Sequence, residues 1–389
     1  MNSTSLHVTF QSQADRVRIC VRKILRRFSP VHPDVGSSRE VSEALRVHIG
    51  HHFWGAGNEG DDFMLAGFLR EIRRLARPVH FTCCVPGNHA GLRQRYPGIQ
   101  WLEYTISARW NAMASADCWL GLGGTPFQCD SGPFFELHFA QEWSMCRAIG
   151  LPMDFLGIGV EHAAVMNRPR FRRLFQSVRH CWARDELTAS WLERVAEGRT
   201  TSAADLANIL FVEQCPEREV TPESRGIGYL LNFENLTESV PDLLPALLEA
   251  LPGEELFWLV QDRRLLPGME RYWWDRLPDS VRSTLRVVEL GQDGATIVPT
   301  EMPGTVISSR YHGALLAAWS GSRVMIIARS GKMTGLAQQV GLPAVSSLHD
   351  IGGIVSGVAA CTPAPRERLR VLAEMAAKSV EEWLAKARS

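Results

Sequence analysis

Residues 304–336 read GTVISSRYHGALLAAWSGSRVMIIARSGKMTGL, and this stretch says most about the fold of the chain. The apolar run Thr305–Ile307 predicts a short buried strand that ends in a polar segment. A helix of small and apolar residues is expected from Gly313 to Trp319, and a second apolar strand from Arg323 to Ala328. A strand, a helix and a further strand in this order are typical of a parallel α/β sheet.

Polar and basic side chains follow the ends of these two strands. Ligands of parallel sheets bind outside the carboxyl ends of the strands, where helices begin. Arg310 can hold two oxygens of a carboxylate or phosphate, the helix start adds partial positive charge, and His312 can supply a proton near neutral pH. With Lys332 at the next strand end, these residues predict a site that binds a small anion and transfers a proton to it. The simpler interpretation is that Arg310 forms a surface ion pair and His312 caps the helix or packs.

The composition limits the class of protein. The 389 residues suit two domains, and a formal net charge of zero is not expected of a dedicated nucleic-acid-binding protein. The nine cysteines are irregularly spaced without a C-x-x-C pair, so we expect reduced thiols and no metal site. No apolar run has the length of a transmembrane helix and no secretory signal is evident, so the expected location is the cytoplasm.

Strand and helix patterns alternate along most of the chain and predict two α/β domains. The first would cover residues 45–220 and the second residues 221–364, with the boundary in a polar, proline-containing stretch. A C-terminal helix, residues 365–389, is long enough to cross back onto the first domain. Two Rossmann-like domains that face a cleft correspond to a glycosyltransferase B-like (GT-B-like) architecture.

Residues 1–44 form a basic N-terminal extension. Residues 16–28 carry six basic side chains and no acidic one, and Val17, Val21, Ile24 and Phe28 recur at helical spacing. One interpretation is a helix that lies on an anionic membrane surface, at the inner face of the membrane. The other, which we favour, is a terminal helix that packs on the domain with its basic face in water.

A glycine-rich loop follows the first predicted strand. Gly55–Gly60 fits the G-x-G-x-x-G pattern of dinucleotide-binding loops. Asp61 and Asp62 follow at the start of a helix, where carboxylates would repel a pyrophosphate. We therefore expect helix capping, or a hydrogen bond between a hydroxylated ligand and Asn58 or Asp61.

Two more strand ends carry candidate residues. Gly121–Gly124 predicts either a tight turn or the close approach of a ligand. Arg184 either faces the cleft or pairs with Asp185, and the internal pair is the favoured interpretation.

These motifs occur in the order that is usual for one family. They are Gly57–Asp62, Leu122–Gly124 with Asp130, Gly157–Val160, Arg184–Glu186 with Thr188, Asp205–Ala207, Ser308–Ala314, and Lys332 with Gly335 and Leu336. On these residues, residues 45–345 of the chain resemble the polysaccharide pyruvyl transferase family.

The resemblance implies an activity. Such enzymes transfer pyruvate from phosphoenolpyruvate onto two sugar hydroxyls, as a ketal on a cell-surface polysaccharide or its lipid-linked precursor, without an organic cofactor. The resemblance implies a donor site at Arg310, His312 and Gly313 with Lys332. His312 would be the general acid, and Arg310 would stabilise the developing phosphate charge.

The saccharide acceptor would then bind on the side of the first domain. The expected acceptor residues are Asn58, Asp61, Asp62, Gly123, Gly124 and Arg184, and one of the carboxylates would serve as general base. The chain departs from the family where Thr125 takes the place of the third glycine, and in the aromatic residues of 257–274. These departures concern the acceptor more than the donor.

Three alternatives remain open at this point. The first is a glycosyltransferase of the same architecture that uses a sugar nucleotide. The second is a saccharide-binding or scaffold protein without catalysis, and the third is pyruvyl transfer to a small molecule that is not a polysaccharide. No feature of the sequence indicates an oligomeric state.

Overall fold

The computed structural model describes residues 44–50, 53–87, 89–127, 134–215, 226–232, 240–253, 255–291 and 302–389. The basic segment 16–28, Asp130 and the predicted domain boundary between residues 220 and 221 lie outside these ranges. A membrane contact of residues 16–28 therefore stays a prediction. None of the described helices has both the length and the apolar character needed to cross a bilayer.

The first sheet of the described residues is entirely parallel, with the strand order β3-β2-β1-β4-β5-β6-β7. Its strands are β1 Leu45–Ile49, β2 Val79–Val85, β3 Ile99–Glu103, β4 Cys118–Leu122, β5 Met153–Ile158, β6 His180–Ala183 and β7 Thr200–Ser202. Every residue of β4, β5 and β6 is buried. This is expected of a parallel sheet with helices on both faces.

Helices connect the strands of this half. They are α1 Glu59–Arg74, α2 His89–Arg95, α3 Ile106–Ala114, α4 Phe134–Ile149, α5 Pro169–Ser177, α6 Glu186–Glu193 and α7 Ala207–Gln214, with a 3-10 helix at Ala163–Asn167. The start of α1 follows from its sequence, because Asn58 accepts a hydrogen bond from the N–H of Gly60 and three acidic residues occupy the first turn.

The second sheet is also parallel, with the order β10-β9-β8-β11-β12-β13. Its strands are β8 Ile227–Leu230, β9 Leu256–Val260, β10 Arg286–Glu289, β11 Thr305–Ser308, β12 Arg323–Ile327 and β13 Ala344–Val345. The helices of this half are α8 Val240–Ala250, α9 Glu270–Trp274, α10 Asp279–Arg282, α11 Tyr311–Trp319, α12 Gly331–Val340 and α13 Ile351–Ala360, and the chain ends with α14 Arg366–Arg388.

Helix α11 joins the two halves. All of its residues are buried, and it packs against α1 and α7 as well as against its own sheet. Trp319 donates a hydrogen bond from Nε1 to Oδ1 of Asn208 at 2.8 Å. A helix that is apolar all round belongs in a core, and one buried hydrophobic cluster runs from α1 through α7 and α11 into α14.

The terminal helix α14 lies against the first half. It contacts α1, α7 and β5, and Glu382 accepts a hydrogen bond from Nε1 of Trp182 at 3.2 Å. Trp383 packs edge-on against Phe68 with 5.5 Å between ring centroids. The C-terminus of the chain therefore packs on the half that contains the N-terminal strand.

The predicted fold class is confirmed: the described chain has two Rossmann-like α/β sheets of GT-B-like architecture. Local bounds differ slightly from those expected. The helix expected from Gly313 begins at Tyr311, and the strand expected at Arg323–Ala328 ends at Ile327. Pro245 lies inside α8, where a proline removes a helix hydrogen bond.

Candidate functional site

The candidate residues lie at the two places where the strand order reverses. In the first sheet this is between β1 and β4, where the 55–62 loop and Gly123–Gly124 follow the strands. In the second sheet it is between β8 and β11, and α11 begins directly after β11. Ligands of open α/β sheets bind in the crevice at such reversals.

His312 lies in the first turn of α11 and pairs with an aspartate of the other half. Its Nε2 is 3.2 Å from Oδ2 of Asp205, and the two side chains are 8% and 0% exposed. Burial alone would raise the pKa of Asp205, but His312, Arg184 and the N–H of Ala207 together hold that pKa below its usual value. Asp205 is therefore a charged partner for the imidazole.

Arg184 contacts Asp205, the partner of His312. Its Nη2 donates to Oγ1 of Thr125 at 2.8 Å, and its Nη1 is 3.8 Å from Oδ2 of Asp205. Its Nε is 3.5 Å from Oδ2 of Asp185, and its guanidinium stacks 4.2 Å from the ring of Tyr311. Arg184 is 1% exposed, so it acts inside the protein rather than as a surface contact to an acceptor.

Arg310 is engaged by carboxylates of its own half. Its Nε donates to Oε1 of Glu270, and its Nη2 is 3.2 Å from Oε2 of Glu270 and 3.1 Å from Oδ2 of Asp262. Both carboxylates are 0% exposed. The sequence suggested a guanidinium open to an anionic donor, whereas the structure shows one that neutralises two buried acids.

The two acidic partners of Arg310 have pKa values shifted in opposite directions. Burial raises the pKa of Glu270, and Arg310 opposes that effect only in part. Asp262 also receives hydrogen bonds from the backbone N–H and from Nε of Arg264, at 3.1 and 2.8 Å. Burial would raise the pKa of Asp262, but Arg264 and Arg310 outweigh it and lower the pKa.

The glycine-rich loop meets the second half directly. Asn58 and Asp262 form an antiparallel bridge, in which the N–H of Glu59 donates to the carbonyl of Gln261 at 3.1 Å and the N–H of Arg263 donates to the carbonyl of Gly57 at 3.0 Å. Glu59 also forms an ion pair with Arg263 at 3.1 Å. This loop, expected to face an acceptor, thus holds the two halves together.

The polar groups of Asn58 have partners within the protein. Its Oδ1 accepts from the N–H of Gly60 at 3.2 Å and from Nε2 of Gln261 at 3.0 Å, and its Nδ2 donates to Asp61 at 3.0 Å. The capping interpretation of Asn58 therefore describes the structure. Oε1 of Gln261, which is 2% exposed, has no hydrogen-bond partner among the described residues.

Asp62 is buried and paired at the other side of the loop. Its Oδ1 accepts from the N–H of Gly55 at 3.0 Å, and its Oδ2 is 3.1 Å from Nη1 of Arg95. Burial raises the pKa of Asp62 to about 7, although the charge of Arg95 opposes the shift. A carboxyl that titrates near neutrality suits acid–base chemistry, but these contacts tie Asp62 to the loop and α2 rather than to His312.

Four glycines of the candidate set make close approaches possible. A Cβ added to Gly60 would overlap Nδ1 of His312 and lie 2.6 Å from Nε2 of Gln261. A Cβ on Gly313 would overlap Leu230, and one on Gly123 would lie 2.6 Å from the sulfur of Met64. The N–H of Gly124 also points to that sulfur, at 3.0 Å. Gly123 and Gly124 thus pack against α1.

Lys332 stands at the start of α12, in the second position of the helix. It is partly exposed, and no ion pair of Lys332 is found within the described ranges. The N–H of Gly331 donates to the carbonyl of Glu161 at 3.1 Å, so this helix start also meets the first half. Among the predicted donor residues that the structure describes, Lys332 is thus a cation without an ion-pair partner.

Three residues that contact the candidate side chains were not among the predicted site residues: Asp205, Gln261 and Glu270. Asp205 was noted only as part of the motif series. It is 107 residues from His312 in the sequence, so the sequence alone does not indicate that the two side chains pair. Glu270 and Gln261 carry no sequence signal. Within the described residues, no group of three His, Cys, Asp or Glu side chains is arranged to hold a metal ion.

We expect Gly60→Ala to lower the free energy of unfolding by about 1–3 kcal/mol, because the new methyl group overpacks His312 and Gln261. The matched control is Gly352→Ala. Gly352 is likewise the second residue of a helix, and a Cβ there meets nothing within 4 Å. Urea unfolding of both variants measures the difference. Equal stabilities would contradict the close packing of Gly60 on the imidazole.

Comparison with known proteins shows similarity of fold. No family model matches the chain, and no curated protein matches its sequence. A UDP-N-acetylglucosamine 2-epimerase from Rickettsia bellii aligns with TM-score 0.57 and 9% identity, over 88% of this chain and 95% of that one. A UDP-GlcNAc 2-epimerase from Neisseria meningitidis bound to UDP-GlcNAc gives 0.52 and 11%, over 88% and 99%. A UDP-glucosyltransferase from Polygonum tinctorium gives 0.52 and 10%, over 89% and 99%. The chain therefore shares the GT-B-like fold with these proteins.

Proposed function

We propose that this protein is an enzyme that transfers a group to a saccharide, with His312 as the residue that moves the proton. The observation that carries the proposal is the pair of His312 and Asp205, 3.2 Å apart, at the start of α11 in the crevice of the second sheet. The low pKa of Asp205 keeps its carboxylate charged, and this charge stabilises the imidazolium that forms when His312 takes a proton.

The donor class that we favour is a sugar nucleotide. The similar GT-B-like structures include enzymes named for UDP-sugars, one of them bound to UDP-GlcNAc. A diphosphate would lie at the N–H groups that begin α11, and Lys332 at the start of α12 would supply a cation. Oε1 of Gln261, buried without a partner among the described residues, would accept a hydrogen bond from a ligand hydroxyl.

In this reaction the acceptor hydroxyl attacks the anomeric carbon of the donor sugar. The bond from that carbon to the diphosphate breaks, and the nucleoside diphosphate leaves. His312 takes the hydroxyl proton, and Asp205 balances the resulting charge. The backbone N–H groups of α11 and the ammonium of Lys332 stabilise the charge that develops on the leaving diphosphate.

The second candidate is pyruvyl transfer from phosphoenolpyruvate, which the order of the motifs from Gly57 to Lys332 favours. His312 would protonate the methylene carbon of the donor, a sugar hydroxyl would attack the adjacent carbon, phosphate would leave, and a second hydroxyl would close the ketal. It ranks second because Arg310, the expected anion ligand, is held by Glu270 and Asp262.

We expect acceptor-dependent release of nucleoside diphosphate when the full chain is incubated with UDP-GlcNAc or UDP-glucose and a panel of glycosides. The same panel with phosphoenolpyruvate measures release of inorganic phosphate. Phosphate release without diphosphate release would replace the favoured donor with the second candidate. Saccharide binding without turnover of any donor would contradict an enzymatic role and leave a saccharide-binding protein.

A further inference from the structure

A cavity of about 340 Å³ opens at the carboxyl ends of β2 and β3, away from His312. Its volume lies at the lower end of the ~300–1,000 Å³ range of small-molecule sites. The lining residues are Val85, Pro86, Gly87, His89, Glu103, Tyr104 and Thr105. Strand β2 pairs with β1, so the cavity lies on the same edge of the first sheet as the loop that begins α1.

The chemistry of this lining is that of a site for hydroxyl groups. Among the described residues that line the cavity there is no lysine or arginine, and Glu103 contributes a carboxylate, so a phosphate would be repelled. Nε2 of His89 is 2.9 Å from the carbonyl of Val85, which can only accept. Nε2 therefore donates to this carbonyl, and in the corresponding tautomer Nδ1 is an acceptor. A carboxylate and an imidazole acceptor suit hydroxyl donors of a neutral ligand.

Tyr104 gives the cavity an aromatic wall that is held in place. The guanidinium of Arg109 lies 4.3 Å from the centre of the ring, and its Nη1 donates to the tyrosine hydroxyl at 3.1 Å. Arg109 is itself fixed by Gln141 at 3.2 Å and by Glu142 at 3.7 Å. A tyrosine ring offers apolar contact area beside polar groups, as the C–H face of a sugar requires.

We propose that this cavity binds one uncharged sugar ring, as the part of the acceptor that lies farthest from His312. The assignment as acceptor rests on the proposed function. The binding of a neutral saccharide follows from the lining itself. The acceptor chain would run along the edge of the first sheet, from the crevice between β1 and β4 to the ends of β2 and β3.

The test uses the full chain with lactose, cellobiose and diacetylchitobiose as probes, and with inorganic phosphate as the anionic probe. Saturation-transfer NMR and calorimetric titration measure binding. Gly87→Asn adds a side chain to a residue that lines the cavity. Gly87 has φ +71° with nothing within 4 Å of an added Cβ, and asparagine tolerates this backbone region, so the variant should fold. The matched control is Gly150→Asn, at φ +70° and in equally open space.

We expect at least one disaccharide to bind, and Gly87→Asn to weaken its Kd about tenfold, which corresponds to ~1.4 kcal/mol. Glu103→Gln should weaken it about fivefold through loss of a charge-assisted hydrogen bond. Gly150→Asn should leave the Kd for the disaccharide unchanged. Binding of phosphate in competition with the sugar, unchanged affinity in Gly87→Asn and Glu103→Gln, or no disaccharide binding would each overturn the proposal.

Failure of the sugar-site proposal can be distinguished from failure of the proposed enzymatic function. Donor turnover with an acceptor KM that Gly87→Asn leaves unchanged would reject the cavity and retain the enzyme. Loss of disaccharide binding in Gly87→Asn, in a protein that turns over no donor, would retain the sugar site and reject the enzyme.

Discussion

Arg310→Met is expected to lower the free energy of unfolding by about 3–5 kcal/mol, the typical cost of removing one partner from a buried ion pair. The substitution removes the guanidinium that contacts Glu270 and Asp262, two side chains with 0% exposure. Asp262 keeps Arg264 as a partner, because Nε of Arg264 donates to Oδ1 of Asp262 at 2.8 Å. Glu270 loses its cation, so it is the main source of the loss.

Urea unfolding measures this effect, and the slope of the transition should not change. The control is Arg282→Met, which breaks the exposed pair with Asp279 and should cost about 0–1 kcal/mol. A second variant, Arg310→Met with Glu270→Gln, removes the buried charge as well and should recover at least half of the loss. A cost for Arg310→Met as small as that of the control would mean that the guanidinium is available to an anionic ligand.

The two outcomes give Arg310 different roles. If Arg310→Met is costly, Arg310 is a positioning residue, because it holds Asp262 beside the bridge that residues 261–263 form with residues 57–59. If the substitution costs little, Arg310 binds the donor substrate, as the resemblance of the sequence implies. The stability measurement separates these roles without any assay of activity.

Much of the fold was predictable from local sequence. The strands predicted to begin at Thr305 and Arg323 are found at Thr305–Ser308 and Arg323–Ile327, because each is an apolar run with a polar end. The start of α11 near His312 was predictable for the same reason. Strand β3 was not, since Ile99–Glu103 is only partly buried and lacks a continuous apolar run.

The partners within the site were not predictable from one sequence. Asp205 and His312 meet because α7 and α11 pack together across the two halves. Arg310 meets Glu270 because α9 follows β9 and β9 lies two strands from β11. Both pairings depend on tertiary packing, which the residue types do not encode locally. The sequence thus indicated which side chains begin α11, but not which of them face a ligand.

His312→Gln is expected to lower kcat by about 10²–10⁴-fold, the usual contribution of a general acid or base. Glutamine can still donate a hydrogen bond to Asp205, which His312 now contacts at 3.2 Å, but it cannot move a proton at neutral pH. The KM for the acceptor should change little, because the substitution removes a function of the transition state rather than of binding. The assay uses whichever donor the product analysis identifies.

Two further variants make the result specific. His349→Gln alters an exposed histidine and should leave kcat unchanged. Asp205→Asn removes the charge that stabilises the imidazolium, so it should lower kcat in the same direction as His312→Gln. Unfolding curves verify that each variant is folded, since His312 is 8% exposed and lies between the halves. If His312→Gln is folded and its kcat stays within threefold of the unaltered chain, the imidazole is a packing residue and the proton moves elsewhere.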